Sequence, residues 1–509
     1  MDLLLFGLVA TTLLVLLAHL FLTWKFSYWH KRRVSYPKPQ PLFGNIRNST
    51  LFKMTFGEEL KLLYGMYPKE RYVGIFQWRS PALLVRDPEL IKHIVLKDFS
   101  HFHDRGMHYD EVHDPLTAHL INLEGTRWKS LRSKLTPAFS SGRLKAMFPL
   151  IAECSLEMIN HIESGGGLVD IRETLARFTT DVIGTCAFGL KFDALTDPDS
   201  QFRTMGRLCM APSYSAALRR MARLTFPELT KALRICQFPP NVTIFFCNVI
   251  RDALNLRQDD KMKRNDFLQL LLHLKKEEAV IPDISGKNVL VMNDMVLAAQ
   301  AFVFFLAGFE TSSSTMSFCL YELAHHPEIQ SRLREEVSAA VRQSQNGELT
   351  YEALQDLTYM DKVFSETLRK YPVAAMLLRE CTREYHVPGS SLKLDPGLQI
   401  IIPTYALHHD PAYYPEPARF DPERFSEQAK AARHPFTYLP FGEGPRVCIG
   451  QRFSYLEMKV GLAYLLQNYV IETCPETVPI KLDPRVFVLQ PEKTVYLKFV
   501  RRNSTESIL

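Results

Sequence analysis

The chain has 509 residues, is 46% hydrophobic and carries a formal net charge of +6, which allows a large core and is too mild a basicity to point to nucleic acid. Its nine cysteines are odd in number and lack the spacing of a disulfide framework, which favours a reducing, cytosol-facing compartment. The 33 phenylalanines predict an aromatic interior able to hold apolar molecules.

Leu3 to Leu22 contains no acid, lysine or arginine, and at about 1.5 Å per residue it matches the ~30 Å hydrocarbon core of a bilayer. Asp2 in place of a basic start, and no small-residue cleavage pattern afterwards, favour an uncleaved anchor over a signal peptide. Lys25, Lys31, Arg32 and Arg33 follow, so the charge bias places the rest of the chain in the cytosol. Tyr36 to Pro41 alternates proline with other residues and reads as a stiff spacer. The chain therefore divides into an anchor over 1–24, a basic and proline-rich linker over 25–44 and a folded body over 45–509.

Tyr72 to Trp78 and Ala82 to Val85 are β-prone runs joined through Arg79, Ser80 and Pro81, which predicts a hairpin in a small β-rich region. Asp87 and Pro88 are an N-cap and first helical residue for a helix through Lys97. His101 to Leu123 reads as an irregular loop, with Trp128 and Arg132 beyond it spaced to share one helix face. From Leu144 to Val280 the pattern is of successive amphipathic helices, with a charged run at 259–264 best read as a solvated loop.

Asn293 to His325 is one long helical pattern stopped by Pro327. Its apolar run, Val296 to Phe309, is too short for a second span and favours a buried core helix. Within it, Gly308, Glu310 and Thr311 put an acid beside an alcohol in an apolar wall, a costly placement without a task. Glu366 and Arg369 lie three apart on the next strong helix; alone, such a pair is usually a surface ion pair. Arg379 and Arg424 follow, the latter in Pro422-Glu423-Arg424-Phe425.

The densest signal is Phe441 to Gly450, which fits F-x-x-G-x-R-x-C-x-G. Ordinary residue frequencies give that pattern by chance on the order of once in ten thousand chains of this length. No second Cys or His sits at zinc-site spacing from Cys448, and a cysteine nucleophile with a distant histidine stays open. A haem would need one anionic sulfur as axial ligand, which Cys448 can supply, with the Arg446 fork suited to a propionate, Phe441 shielding the sulfur and Gly450 permitting close approach. The helix predicted over Phe453–Gln467 would start near the ligand loop, where its dipole favours a thiolate. The tail around Val486–Pro491 reads as a β-hairpin entering the pocket.

This cysteine loop resembles that of the cytochromes P450, and His434 to Pro440 before it resembles insect microsomal members linked to xenobiotic metabolism. The resemblance spans nearly the whole chain. It implies a mainly α-helical fold with a small β-rich region, haem b (iron protoporphyrin IX) on Cys448, and Trp128, Arg132 and Arg379 joining Arg446 at the propionates. It also implies a bracing network of Glu366, Arg369 and Arg424. In that setting Gly308 leaves room for dioxygen, Thr311 hydrogen-bonds its outer oxygen and Glu310 relays protons. The expected reaction is insertion of one oxygen atom into a hydrophobic small molecule, such as a plant toxin, an insecticide, a lipid or a hormone. Electrons would come from NADPH-cytochrome P450 reductase, with cytochrome b5 as an additional candidate, at the endoplasmic reticulum membrane. A haem-thiolate isomerase or dehydratase, a non-catalytic haem ligand-binding protein and, last, a cysteine hydrolase are the alternatives.

Overall fold

A computed structural model of the protein describes residues 2–197, 199–256, 266–276, 280–281, 290–344 and 347–502. The charged run at 259–264 lies outside them. The elements that position the site are, in chain order, α1 (Asp2–Thr23), β1 (Tyr72–Gln77), β2 (Ser80–Val85), α2 (Gly125–Leu135), α3 (Ser141–Ser164), β3 (Leu168–Asp170) and α4 (Ile171–Ile183). They continue with α5 (Tyr214–Thr225), α6 (Asp294–His325), α7 (Thr358–Lys370), β4 (Leu377–Glu380), β5 (Gln399–Ile402), α8 (Gln451–Asn468), β6 (Tyr469–Glu472) and β7 (Tyr496–Arg501). The protein is mainly helical with a small β region, as its pattern predicts.

A four-stranded sheet runs β1-β2-β5-β4, with β2 parallel to β5 and the other neighbours antiparallel. A three-stranded sheet runs β6-β7-β3. Each side of the molecule has its own apolar core. One is built around α3, α4, α6 and α8, and the other around the four-stranded sheet. Helix α6 is the axis of the first. Its N-cap Asn293 accepts the Val296 amide at 2.9 Å, and it packs along α4.

Local expectations hold with adjustments. Asp87 caps the Pro88–Lys92 helix by accepting the Glu89 amide at 3.0 Å, and the helix ends in a wider π turn over His93–Lys97. In the hairpin Gln77 pairs with Ser80, so the turn is the two residues Trp78 and Arg79. Trp78 has a φ of 57°. Ser80 and Pro81, expected in the turn, belong to β2. The tail is not a regular hairpin. Residues 482–491 close through the Asp483 amide on the Gln490 carbonyl at 2.9 Å, and the Leu489 amide donates to the Val373 carbonyl at 3.0 Å.

Residues 4–20 of α1 are exposed along their length, and the helix is long and apolar enough to cross a membrane. The segment after it departs from the spacer expected over 25–44. Trp29 is fully buried and donates its indole N–H to the Ile75 carbonyl at 3.0 Å. Gly74 makes this fit, because a Cβ there would overlap the Trp29 ring. Val34 is buried as well. The apolar content of Trp29 and Val34 docks this stretch onto the sheet, so it is part of the folded body.

Candidate active site

A cavity of about 290 Å³ lies between α6, α2 and the cysteine loop. Cys448 faces it from just before α8, whose N-cap is Gly450. Burial pushes the Cys448 thiol up, while the Gly450 amide, Arg132, Arg105 and the Gln451 amide pull it back. The loop is held by the Cys448 amide donating to the Phe441 carbonyl at 2.9 Å. Gly444, at φ 72°, lets the loop touch the π turn, since a Cβ there would overlap the Val95 carbonyl. Gly450 has ordinary backbone angles, and the nearest atom to a Cβ there is Phe139 Cε1 at 4.0 Å. A side chain would occupy cavity space, so room is what the glycine provides.

Trp128 and Arg132, one turn apart on α2, both line the cavity with Arg446 and Phe441. The Arg446 guanidinium lies 3.9 Å from the Trp128 ring centroid. It also donates to the His103 and Leu123 carbonyls at 2.8 Å and reaches Asp104 at 3.5 Å, so backbone carbonyls hold much of the fork expected to meet a propionate. Arg379 is fully buried behind the wall, donates to the Leu378 carbonyl at 2.8 Å and leaves Nε without a partner. Arg105, which the sequence did not single out, completes the group. It lines the cavity and donates to the Ile121 carbonyl at 3.1 Å.

Burial lowers all four of these arginines, and neighbouring positive charge lowers Arg105, Arg379 and Arg446 further. A guanidinium keeps its proton inside proteins. The cluster is therefore positive charge in excess, which two carboxylates would neutralise. One thiol with peptide N–H groups beside it, an apolar cavity, and an arginine cluster with an orphaned Nε fit a haem and its two propionates.

On α6, Gly308, Thr311, Ser312 and Thr315 line the cavity. The Thr311 hydroxyl donates to the Ala307 carbonyl at 2.7 Å. Glu310 is elsewhere. Its carboxylate is buried against α4, accepting from Arg172 at 2.9 Å and Ser314 at 3.3 Å, and it does not line the cavity. Arg172 also bonds Gln490 at 2.5 Å. Gly308 was expected to make room for dioxygen, but a Cβ there would overlap Ile183 Cδ1 of α4, so the glycine also serves helix packing.

The structure brings Glu366, Arg369 and Arg424 together. Arg369 grips Glu366 through two bonds of 2.7 and 2.8 Å with both side chains fully buried, and Arg424 Nε lies 3.5 Å from Glu366. Arg369 adds a 3.0 Å bond to the His408 carbonyl, and Glu366 accepts the Asp421 amide at 2.9 Å. This knot joins α7 to the chain leading into the cysteine loop.

Against this geometry, the family model for Cytochrome P450 matches residues 34–499. The chain belongs to the cytochrome P450 family. It is 43% identical to Probable cytochrome P450 6a13 of Drosophila melanogaster over 95% of this chain and 96% of that protein. Cytochrome P450 6a2 of the same fly is 42% identical over 94% and 96%. Cytochrome P450 6k1 of Blattella germanica is 38% identical over 98% of each. P450s bind haem, iron protoporphyrin IX, and work as monooxygenases that draw on redox partners. The P450 cavity is the place where that cofactor fits this chain.

Arg105 and Arg172 are the P450 site residues that sequence reading missed. Arg105 stands in a loop without a flanking pattern, and Arg172 meets Glu310 across 138 residues. An unexplained buried acid at Glu310 was the available signal that a cation had to exist.

Proposed function

We propose that this P450 is a membrane-anchored monooxygenase that inserts one oxygen atom into hydrophobic small molecules of the xenobiotic and lipid classes. Its electrons come from NADPH through NADPH-cytochrome P450 reductase, with cytochrome b5 as an additional donor. The observation that carries the reading is that Cys448 and Thr311, from different elements, face one apolar cavity ringed by arginines. The anchor is 1–24, the body begins with the packed segment from 25 onward, and the basic residues after α1 put the body on the cytosolic side of the endoplasmic reticulum.

When bound, haem would supply the oxygen-activating redox chemistry, and Cys448 would hold its iron through the thiolate. Arg105, Arg132 and Arg446, with the Trp128 indole and with Arg379 from behind the wall, would hold the propionates, and Phe441 would screen the sulfur from water. Thr311 keeps a hydroxyl proton at the cavity wall, and Val303, Phe304 and Val373 exclude bulk water from it. Glu310, whose partner Arg172 has a side chain 25% exposed, would relay protons from solvent toward Thr311 on leaving that contact. Glu366, Arg369 and Arg424 brace the fold.

The test is the reduced, carbon-monoxide-treated Soret band of the full-length protein and of Cys448→Ala. The thiolate-type band is expected in the first and absent in the second; identical spectra would overturn the assignment. Products formed from a mixed hydrophobic library with reductase, with and without NADPH, then give the substrate class.

A further inference from the structure

The tail expected to enter the haem pocket stands behind its wall. Among the described residues, Val373 and Ala374 line the haem cavity and no residue of 482–491 does. Backbone pairing joins the two segments: Val488 bridges Ala374, and the Leu489 amide donates to the Val373 carbonyl at 3.0 Å. On its other side the tail packs into a neighbouring apolar space, where Val486, Phe487 and Leu489 share walls with Ala375, Met376 and Leu378. A load on Val373 from inside the cavity is therefore passed to 488–489 through main-chain atoms, which cannot yield by changing rotamer.

Gln490 carries the load further. It is fully buried, its carbonyl accepts the Asp483 amide at 2.9 Å, and its side chain reaches Arg172 in the first turn of α4. The Gln490 Oε1 accepts from Arg172 Nη2, the nitrogen that also donates to Glu310 at 2.9 Å. One guanidinium nitrogen thus serves an acid of α6 and an amide of the tail. The Arg172 side chain makes no other hydrogen bond among the described residues, and the neighbouring acid Glu173 is taken by Arg177 and Arg203. Arg172 Nε and Gln490 Nε2 are buried without a hydrogen-bond partner. Unmade bonds disfavour the arrangement that leaves them unmade, so this joint is poised to shift rather than saturated.

We propose that Gln490 is a positioning residue that links the haem cavity to the Arg172–Glu310 pair. When a bound molecule presses Val373 outward, 488–490 move with it and Gln490 gives up Arg172. The guanidinium, whose side chain is already 25% exposed, then turns toward water and frees Glu310. An empty cavity leaves the clasp shut. The linkage withholds Glu310 from proton delivery until a substrate is in place. That a freed Glu310 relays protons rests on the function proposed above; the linkage itself does not.

The experiment uses the full-length, haem-loaded protein in detergent micelles and 4-phenylimidazole as the cavity-filling probe, its entry followed at the Soret band. Amide hydrogen exchange is read with and without it. In wild type the probe should change exchange about fivefold in peptides over 484–491 and over 170–176. The second set reports on α4 because the Arg172 and Glu173 amides are both held by the Asp170 carboxylate at 3.1 Å. In Gln490→Leu the tail should still respond and 170–176 should not. Gln490→Glu, which keeps an acceptor for Arg172, should restore the response, and Arg172→Met should abolish it from the other side. With reductase, NADPH use is compared with and without a product-giving member of the hydrophobic library. The ratio should fall about fivefold in Gln490→Leu and recover in Gln490→Glu. An equal response at 170–176 in wild type and Gln490→Leu, or no response in the wild-type tail, would overturn the proposal. The expected exchange pattern with unchanged NADPH ratios would uphold the linkage and count against the relay through Glu310.

Discussion

Glu310 and Thr311 are adjacent in the chain, yet the Thr311 hydroxyl belongs to the cavity wall while the Glu310 carboxylate is buried against Arg172, 2.9 Å away. The acid and the alcohol are thus separated by the helix that carries both. In the proposed relay through Glu310, proton delivery passes through a break in that ion pair, which makes the pair a control point.

Thr311→Val keeps the volume and removes the hydroxyl. NADPH consumption should continue while product per NADPH falls about tenfold or more, with hydrogen peroxide making up the difference. Parallel assays of the three quantities check it.

Removing one member of the Glu310 pair affects stability and turnover differently. Arg172→Ala leaves a buried carboxylate without its cation and should cost about 2 kcal/mol, less than a fully buried pair because Arg172 is partly exposed. Glu310→Gln removes the charge, should cost less stability, and should slow turnover with a larger solvent isotope effect. Urea melts and rates in heavy water separate the two.

Gly308→Ala should destabilise by about 1–3 kcal/mol through the overlap with Ile183. Ile183→Ala in the same chain should relieve part of it, so a double-mutant cycle should show favourable coupling between two residues on different helices.

Burial, then the charges of Asp104 and Glu380, push Glu124 from 4.5 up to about 7. Between those values the folded chain holds a proton that the unfolded chain has lost, so this group makes stability fall as pH rises through the window. Glu124→Gln should remove that share of the slope. Wild type and variant should therefore differ more at about pH 7.5 than at about pH 4.5, with the variant gaining at the higher pH, as read from urea melts.

Arg105→Ala should raise haem loss to an acceptor protein about tenfold, since it removes one of the donors proposed for the propionates. The apoprotein should be perturbed less, because excess positive charge goes with the side chain.

The sequence announced whatever depends on neighbours along the chain. Cys448 with its glycines and Arg446, the long helix around Thr311, and the Glu366–Arg369 spacing are all local patterns. What stayed hidden is set across distance. The side of α6 on which Glu310 finds a partner depends on Arg172 in another helix, and the packing duty of Gly308 depends on Ile183. Arg105 carries no motif because a loop residue can reach a propionate from many sequence positions. Segment 373–378 divides its side chains between two spaces, and its sequence alone does not say that both are hollow.

Trp29 lies past the membrane helix but is embedded beneath the sheet, bonded to Ile75 and accommodated by Gly74. A soluble version made by cutting at the end of the proline stretch would discard this plug and lay bare the strands beneath it, inviting aggregation. Severing the chain before Phe26 would remove the greasy helix and keep the stopper in place.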